Sequence, residues 1–203
     1  SASVYSLDDD LKDPKLDSYN RTLYASFKYS AEKLIENFCY SNNVNFYIMR
    51  LFNTYGDKND QFSFIDKLIE IKKTRQNLTL INNGISLRDF ISLSDVTKIY
   101  QKFLKNNYPS GVYDVGTGQG TLIKNLIDFV NIDKKKIIHK KNIIEISRSI
   151  ADTKKLQKNL GGFKFQSLDR YLRDKLKIKN KNKINFAKHN YQITKYEGSV
   201  IYG

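Results

Sequence analysis

The chain has 203 residues, 40% of them hydrophobic, enough for one compact unit with a sizeable core or for part of a larger one. Its single cysteine, Cys39, excludes an internal disulfide framework and a zinc knuckle and points to a reducing compartment such as the cytoplasm; no apolar run approaches the roughly 20 residues that cross a bilayer, so no membrane segment is expected. A formal net charge of +14 does not imply a nucleic-acid partner, because the basic residues are scattered among acidic ones along a chain rich in lysine, asparagine and isoleucine.

Residues 22–41 place Leu23, Phe27, Ala31, Leu34, Ile35 and Phe38 at helical spacing, which predicts a long amphipathic helix with Cys39 in the core. Residues 44–52 are dense in β-branched, aromatic and apolar side chains and read as a largely buried strand, broken by a loop over 53–57. Phe64, Ile65, Leu68, Ile69 and Ile71 predict a second helix, followed by a strand over 78–81, a turn at Asn82-Asn83-Gly84, and Phe90-Ile91. A further helix is expected from Ser94, with Ser94 and Asp95 as capping residues. A strand at 112–115, a glycine turn at 116–120, a helix at 122–130, a short strand at Ile137-Ile138 and helices near 152–159 and 167–176 complete the order. Strands alternating with helices predict an α/β fold with a mostly parallel sheet. The lysine runs at 134–136 and 179–183 read as solvated loops, 178–197 as a linker after a unit spanning 1–177, and 198–203 as a possible start of a further nucleotide-binding unit.

The residues best suited to chemistry are Tyr24 and Lys28, whose spacing of four puts a phenol and an ammonium on one helix face, with Ser1 upstream in Ser1-Ala2-Ser3-Val4-Tyr5. A phenol with an ordinary pKa near ~10 is a poor base at neutral pH, and a neighbouring cation favours its phenolate. Such a pair can exchange a proton with a substrate hydroxyl that a serine orients.

Five segments occur in order: Ser-Ala-Ser-Val-Tyr at 1–5, Tyr-Ala-Ser-x-Lys-x-x-x-Glu from Tyr24, Arg-Leu-Phe-Asn-Thr-Tyr-Gly at 50–56, Arg-Asp-Phe-Ile-Ser-Leu-Ser-Asp-Val at 88–96, and Val-Tyr-Asp-Val-Gly-Thr-Gly at 112–118. This series resembles the extended short-chain dehydrogenase/reductase family, in its NAD-dependent nucleotide-sugar epimerase/dehydratase branch, over residue 1 to about residue 176. The resemblance implies the C-terminal part of a Rossmann-like parallel sheet plus a small substrate-binding α/β subdomain, with NAD as cofactor and a homodimer built partly through the Tyr24 helix. It implies Ser1 as the catalytic serine, Tyr24 as base and acid, and Lys28 as the cofactor-ribose lysine. Tyr24 and Phe52 would also face the cofactor, and Ser3 the substrate. Asn53 and Arg88 would hold the nucleotide diphosphate, where a guanidinium fork matches phosphate oxygens. Simpler readings are a loop-capping asparagine for Asn53 and a surface ion pair with Asp89 for Arg88.

Gly116, Gly118 and Gly120 mimic a dinucleotide fingerprint, but the family places this segment late, near the substrate domain. The true pyrophosphate loop is expected upstream of residue 1, so the chain alone is expected to be inactive and poorly soluble. Several positions depart from the family pattern. Ser6 replaces a glycine, Asn142 stands beside Lys141 where an arginine is usual, and Gln61-Phe62 stand where paired asparagines occur. Glu145 is a candidate for a ribose hydroxyl. Ala2 and Ser3 occupy the places of the Asp-Glu pair of 4,6-dehydratases, which disfavours elimination. A 4-epimerase acting on UDP-hexose or UDP-N-acetylhexosamine is therefore expected. Ser149 would leave room for an N-acetyl group at the hexose 2-position unless it is simply a helix cap before Asp152. A nucleotide-sugar reductase, a dehydratase and a non-catalytic nucleotide-sugar-binding module are the alternatives, with nucleic-acid binding a distant further one.

Overall fold

The computed structural model describes residues 1–5, 19–56, 62–141, 146–179 and 183–188. A 3-10 turn over Ala2–Tyr5 packs against the long helix α1 (Tyr19–Ser41). Strand β1 (Tyr47–Leu51) then pairs in parallel with β5 (Gly111–Val115), from Tyr47↔Gly111 to Leu51↔Val115. One side of this pair is covered by α3 (Leu93–Lys105) and α5 (Lys154–Leu160), which bury Ile99, Phe103, Leu156 and Leu160 against Tyr113 and Val115. On the α1 side, Phe46 and Ile48 pack with Cys39.

The expected strand over 44–52 splits at Phe52, and the segment expected as a loop continues as β2 (Asn53–Tyr55). Phe52 N still donates to Val115 O, but Asn53 already pairs with Phe90 of β4 (Leu87–Ser92), so the chain steps from one sheet to another without a turn. That second sheet runs β2-β4-β6-β9, with β8 (Arg148–Ser149) beside β4; β6 is Gln119–Leu122 and β9 is Ala187–Lys188. Strand β3 (Leu78–Ile81) forms a separate parallel pair with β7 (Ile137–Lys140). Helices α2 (Phe64–Thr74), α4 (Ile123–Val130) and α6 (Leu168–Leu176) enclose a core of Ile65, Leu68, Phe90, Leu126, Phe129 and Leu172. The parallel pairs and covering helices give the expected α/β class.

Three expectations need correction. Ser92, not Ser94, caps α3 by accepting from Asp95 N, because β4 runs straight into the helix. The glycine turn is shorter than expected: Gly118 has φ +73°, but Gly120 is already in β6, where a Cβ would run into the Ile150 side chain. Glycine at 120 thus answers a close side-chain approach rather than a turn. Within the expected linker, Ile184 joins the second core and β9 pairs with β6.

Helix α1 also departs from the simplest reading of its amphipathicity. Ala25, Glu32 and Cys39 are buried against the rest of the chain. The stripe of Leu23, Phe27, Leu34 and Phe38, centred roughly 150° around the helix from that line, faces outward at 39%, 67%, 70% and 65% exposure. Among the described residues, no helix is long and apolar enough to cross a membrane.

Candidate active site

The serine turn places Ser1 Oγ 2.9 Å from Ser3 Oγ, and Ser3 N donates to Ser1 Oγ at 3.3 Å. Val4 anchors the turn in the interior. The turn packs on α1, where Tyr24 and Lys28 lie one helical turn apart. Tyr24 is 49% exposed, Lys28 is exposed, and the Lys28 ammonium lies 5.5 Å from the Tyr24 ring centre. The phenol and the ammonium therefore share one open flank of the helix on which the serine turn packs, the Ser1 amino group lying 3.9 Å from Glu32 Oε1.

Behind this flank runs a chain of polar groups that motif reading did not assign. One turn past Lys28 on α1, Glu32 accepts from Arg50 Nη2 at 2.7 Å and from Nε at 3.1 Å. The Arg50 guanidinium sits 4.6 Å over the Tyr5 ring, and the Tyr5 hydroxyl donates to Asp114 Oδ1 at 2.6 Å. Asp114 Oδ2 accepts from Asp152 N at 3.2 Å. Burial disfavours the Arg50 charge, but its bonds to Glu32 and Tyr5 outweigh this, and its pKa is raised. Burial and the bond to Asp114 push the Tyr5 phenol up to about 12. Burial also raises Asp114, against the lowering effect of the Tyr5 hydroxyl. Glu32 and Arg50 had a signal in sequence, since both lie within the quoted segments; the Tyr5–Asp114 pairing spans too much chain to be read from either segment.

The second group of candidates gathers on the sheet β2-β4-β8. Asn53 Nδ2 donates to the Asp89 carbonyl at 2.9 Å, which ties β2 to β4 and is not a loop cap. Arg88 and Ser149 are partners in the parallel register of β4 and β8, so they share a face; Arg88 Nη1 also donates to Leu87 O at 2.9 Å. Ser149 is no helix cap, because α5 starts after Thr153. The ion-pair reading of Asp89 is also overturned: its carboxylate is fully buried. It accepts from Thr117 N at 3.0 Å, Gly118 N at 2.8 Å, Ala151 N at 3.2 Å and the Thr117 hydroxyl. Burial raises its pKa, and those four bonds oppose the shift. Phe52 is buried, its ring 6.4 Å from that of Tyr5. On β8, Arg148 has Nε and Nη2 buried with no hydrogen-bond partner among the described residues. Ser6, Gln61, Asn142, Glu145 and residues 198–203 lie outside the described residues. Among the described residues, no group of three or more metal-ligating side chains occurs.

The model of the NAD dependent epimerase/dehydratase family matches residues 1–116. The chain belongs to this family. It is 29% identical over 154 residues to the ADP-L-glycero-D-manno-heptose-6-epimerase of Brachyspira hyodysenteriae, covering 71% of this chain and 46% of that one. Its fold matches that of UDP-N-acetylglucosamine 4-epimerase from Methanobrevibacter ruminantium M1 with a TM-score of 0.61 and 24% identity, covering 76% of this chain and 52% of the other. It also matches dTDP-glucose 4,6-dehydratase from Bacillus anthracis with a TM-score of 0.66 and 17% identity, covering 76% and 50%. The chain spans about half the length of the curated relatives it matches.

Enzymes of the epimerase/dehydratase family act on nucleotide sugars and depend on NAD. The open phenol and ammonium on α1 suit the ribose and nicotinamide end of that cofactor. The glycine turn does not suit its pyrophosphate, because the Thr117 and Gly118 N–H groups that would face an anion are already taken by Asp89.

Proposed function

We propose that the whole protein is an NAD-dependent nucleotide-sugar 4-epimerase acting on UDP-hexose or UDP-N-acetylhexosamine. The observation that supports this reading is the serine turn packed on α1, the helix that exposes Tyr24 and Lys28, with alanine and serine at positions 2 and 3. Elimination of water needs a further acid and base beside the catalytic hydroxyl, and neither side chain supplies one.

In this reading Ser1 hydrogen-bonds the sugar hydroxyl and turns its proton toward Tyr24. The Tyr24 phenolate takes that proton at Oη and later returns it. Lys28 holds the cofactor ribose and, by its charge, favours the phenolate. NAD bound beside Tyr24 and Lys28 would supply the hydride acceptor and donor for oxidation and reduction at the sugar carbon. Tyr24 and Phe52 line the cofactor side and Ser3 the substrate side. Asn53 and Arg88 hold the diphosphate, with Arg88 as a fork for two phosphate oxygens. Glu145 accepts from a ribose hydroxyl. Ser149 faces the hexose 2-position, where its small side chain admits an N-acetyl group. The outward Leu23, Phe27, Leu34 and Phe38 stripe supports a homodimer through α1, since so continuous an apolar row on a surface helix marks an interface.

Incubating the whole protein with NAD and UDP-N-acetylglucosamine or UDP-glucose, and following the sugar by proton NMR, tests the assignment. The expected product is the 4-epimer with no net consumption of cofactor. Accumulation of a 4-keto-6-deoxy sugar would replace the reading with a dehydratase, and stoichiometric oxidation of NADH or NADPH in a parallel incubation supplied with it would replace it with a reductase.

A further inference from the structure

Strand β8 carries Ser149, yet it is two residues long and its ladder consists of Leu87↔Arg148 and Arg88↔Ser149. So short a ladder is a weak constraint on the strand's end, and a displacement of about 1 Å in such a pocket can lower a rate by roughly 100-fold. The hold continues by other means. The N–H groups of the next two residues after Ile150 are each received by a carboxylate: Ala151 N by Asp89 Oδ2 and Asp152 N by Asp114 Oδ2, both at 3.2 Å. Asp89 belongs to β4 and Asp114 to β5, strands of two different sheets. The segment that follows Ser149 is thereby clamped between the two sheets.

Asp114 has a second bond that Asp89 lacks. Its other oxygen accepts the Tyr5 hydroxyl at 2.6 Å, and Tyr5 closes the turn that starts at the catalytic candidate Ser1. The Tyr5 ring is itself covered by Arg50, which is paired with Glu32 on α1. One carboxylate therefore bonds the proton-transfer side through Oδ1 and the Ser149 segment through Oδ2. We propose that Asp114 is a positioning residue that fixes the serine turn relative to strand β8, and so fixes the distance between the proton-transfer groups and the sugar pocket. The proposal rests on the roles given above to Ser1 and Ser149. Neither Tyr5 nor Asp114 needs to touch substrate.

The chemistry of the acceptor makes the idea testable. Aspartate offers an oxygen to each donor. Asparagine keeps one for Asp152 N while its amide can donate to the Tyr5 oxygen, since a phenol hydroxyl both donates and accepts; alanine keeps neither bond. Tyr5→Phe removes only the link to the serine turn.

The test compares Tyr5→Phe, Asp114→Asn and Asp114→Ala in the whole protein by amide hydrogen exchange, UDP calorimetry and steady-state turnover of UDP-N-acetylglucosamine. Tyr5→Phe is expected to speed exchange at residues 151–153 by about tenfold, the loss of one modest hydrogen bond transmitted through Asp114. It should lower kcat by about tenfold while the UDP Kd stays within about twofold, as misalignment without lost binding contacts requires. Asp114→Ala should do the same more strongly, and Asp114→Asn should recover turnover to within about threefold. Unchanged exchange at 151–153 in Tyr5→Phe overturns the link, as does Asp114→Asn failing like Asp114→Ala. If Asp114→Ala does not fold, Tyr5→Phe still decides. If the wild-type protein turns over no nucleotide sugar, the epimerase reading fails, while the exchange measurement judges the link on its own.

Discussion

The α1 flank and the β4 strand treat their polar groups in opposite ways. On α1, Tyr24 and Lys28 stand half-exposed and exposed, the Lys28 ammonium 5.5 Å from the Tyr24 ring centre. On β4, the Asp89 carboxylate is fully buried and its oxygens receive four donors from two other segments. A polar group satisfied by its own fold contributes to stability and is closed to ligands, whereas a group left open contributes little to stability and is available for chemistry. The contrast separates residues that build the site from residues that would operate in it.

Asp89→Ala should break the scaffold side most severely. It would strand the buried Ala151 N–H and the part-buried N–H groups of Thr117 and Gly118, at about 1–3 kcal/mol for each unsatisfied group that water cannot reach, so denaturant unfolding should show a loss of about 1–3 kcal/mol or more, or failure to fold. Arg88→Ala comes next. It should weaken UDP binding by about 30-fold in calorimetry, in line with the ~2 kcal/mol of a charge-assisted hydrogen bond to phosphate, with the unfolding midpoint nearly unchanged. Ser149→Tyr sharpens the substrate side: it should lower kcat/KM for UDP-N-acetylglucosamine by about tenfold or more relative to UDP-glucose, because overfilling a pocket costs ~1–3 kcal/mol.

A smaller effect concerns pH. The Tyr5 and Tyr171 phenols are both pushed up to about 12 in the folded chain, against an ordinary value of 10.0. Burial is the first cause for each, with an aspartate bond assisting. Because the unfolded chain releases these protons first, it gains on the folded one as pH rises from 10 towards 12. Stability should therefore decline across that window by thermal melts, and the decline should be shallower in Tyr5→Phe. The smallest expected effect is at Arg148, whose buried Nε and Nη2 have no partner among the described residues. Arg148→Met should leave ligand-free stability unchanged or raise it by up to about 1 kcal/mol, since two buried nitrogens without a partner among the described residues give way to an apolar side chain of similar length.

Much of this contrast was legible in sequence, but unevenly. The tyrosine–lysine spacing, the helical period of α1 and the strand–helix alternation are local patterns, and the fold preserves them. Local patterns did not reveal the short strands β6, β8 and β9, whose pairing depends on distant partners rather than on β-propensity. Nor did they reveal which side of α1 packs inward. Periodicity identifies an apolar stripe, but Ala25, Glu32 and Cys39 face the chain because Arg50 and the serine turn lie there. Asp89 and Asp114 read as ordinary acids next to more conspicuous neighbours. Their role rests on bonds to residues 28 or more positions away, such as Thr117, Ala151, Asp152 and Tyr5.

The most direct test of the catalytic assignment is Tyr24→Phe in the whole protein, with turnover of the nucleotide sugar and affinity for UDP measured on the same preparation. Turnover should fall by about 100-fold or more, the usual contribution of a positioned acid–base group, while UDP affinity and thermal stability remain those of the parent. Turnover that survives the loss of the hydroxyl, or that falls only in step with UDP affinity, would contradict the role given to Tyr24.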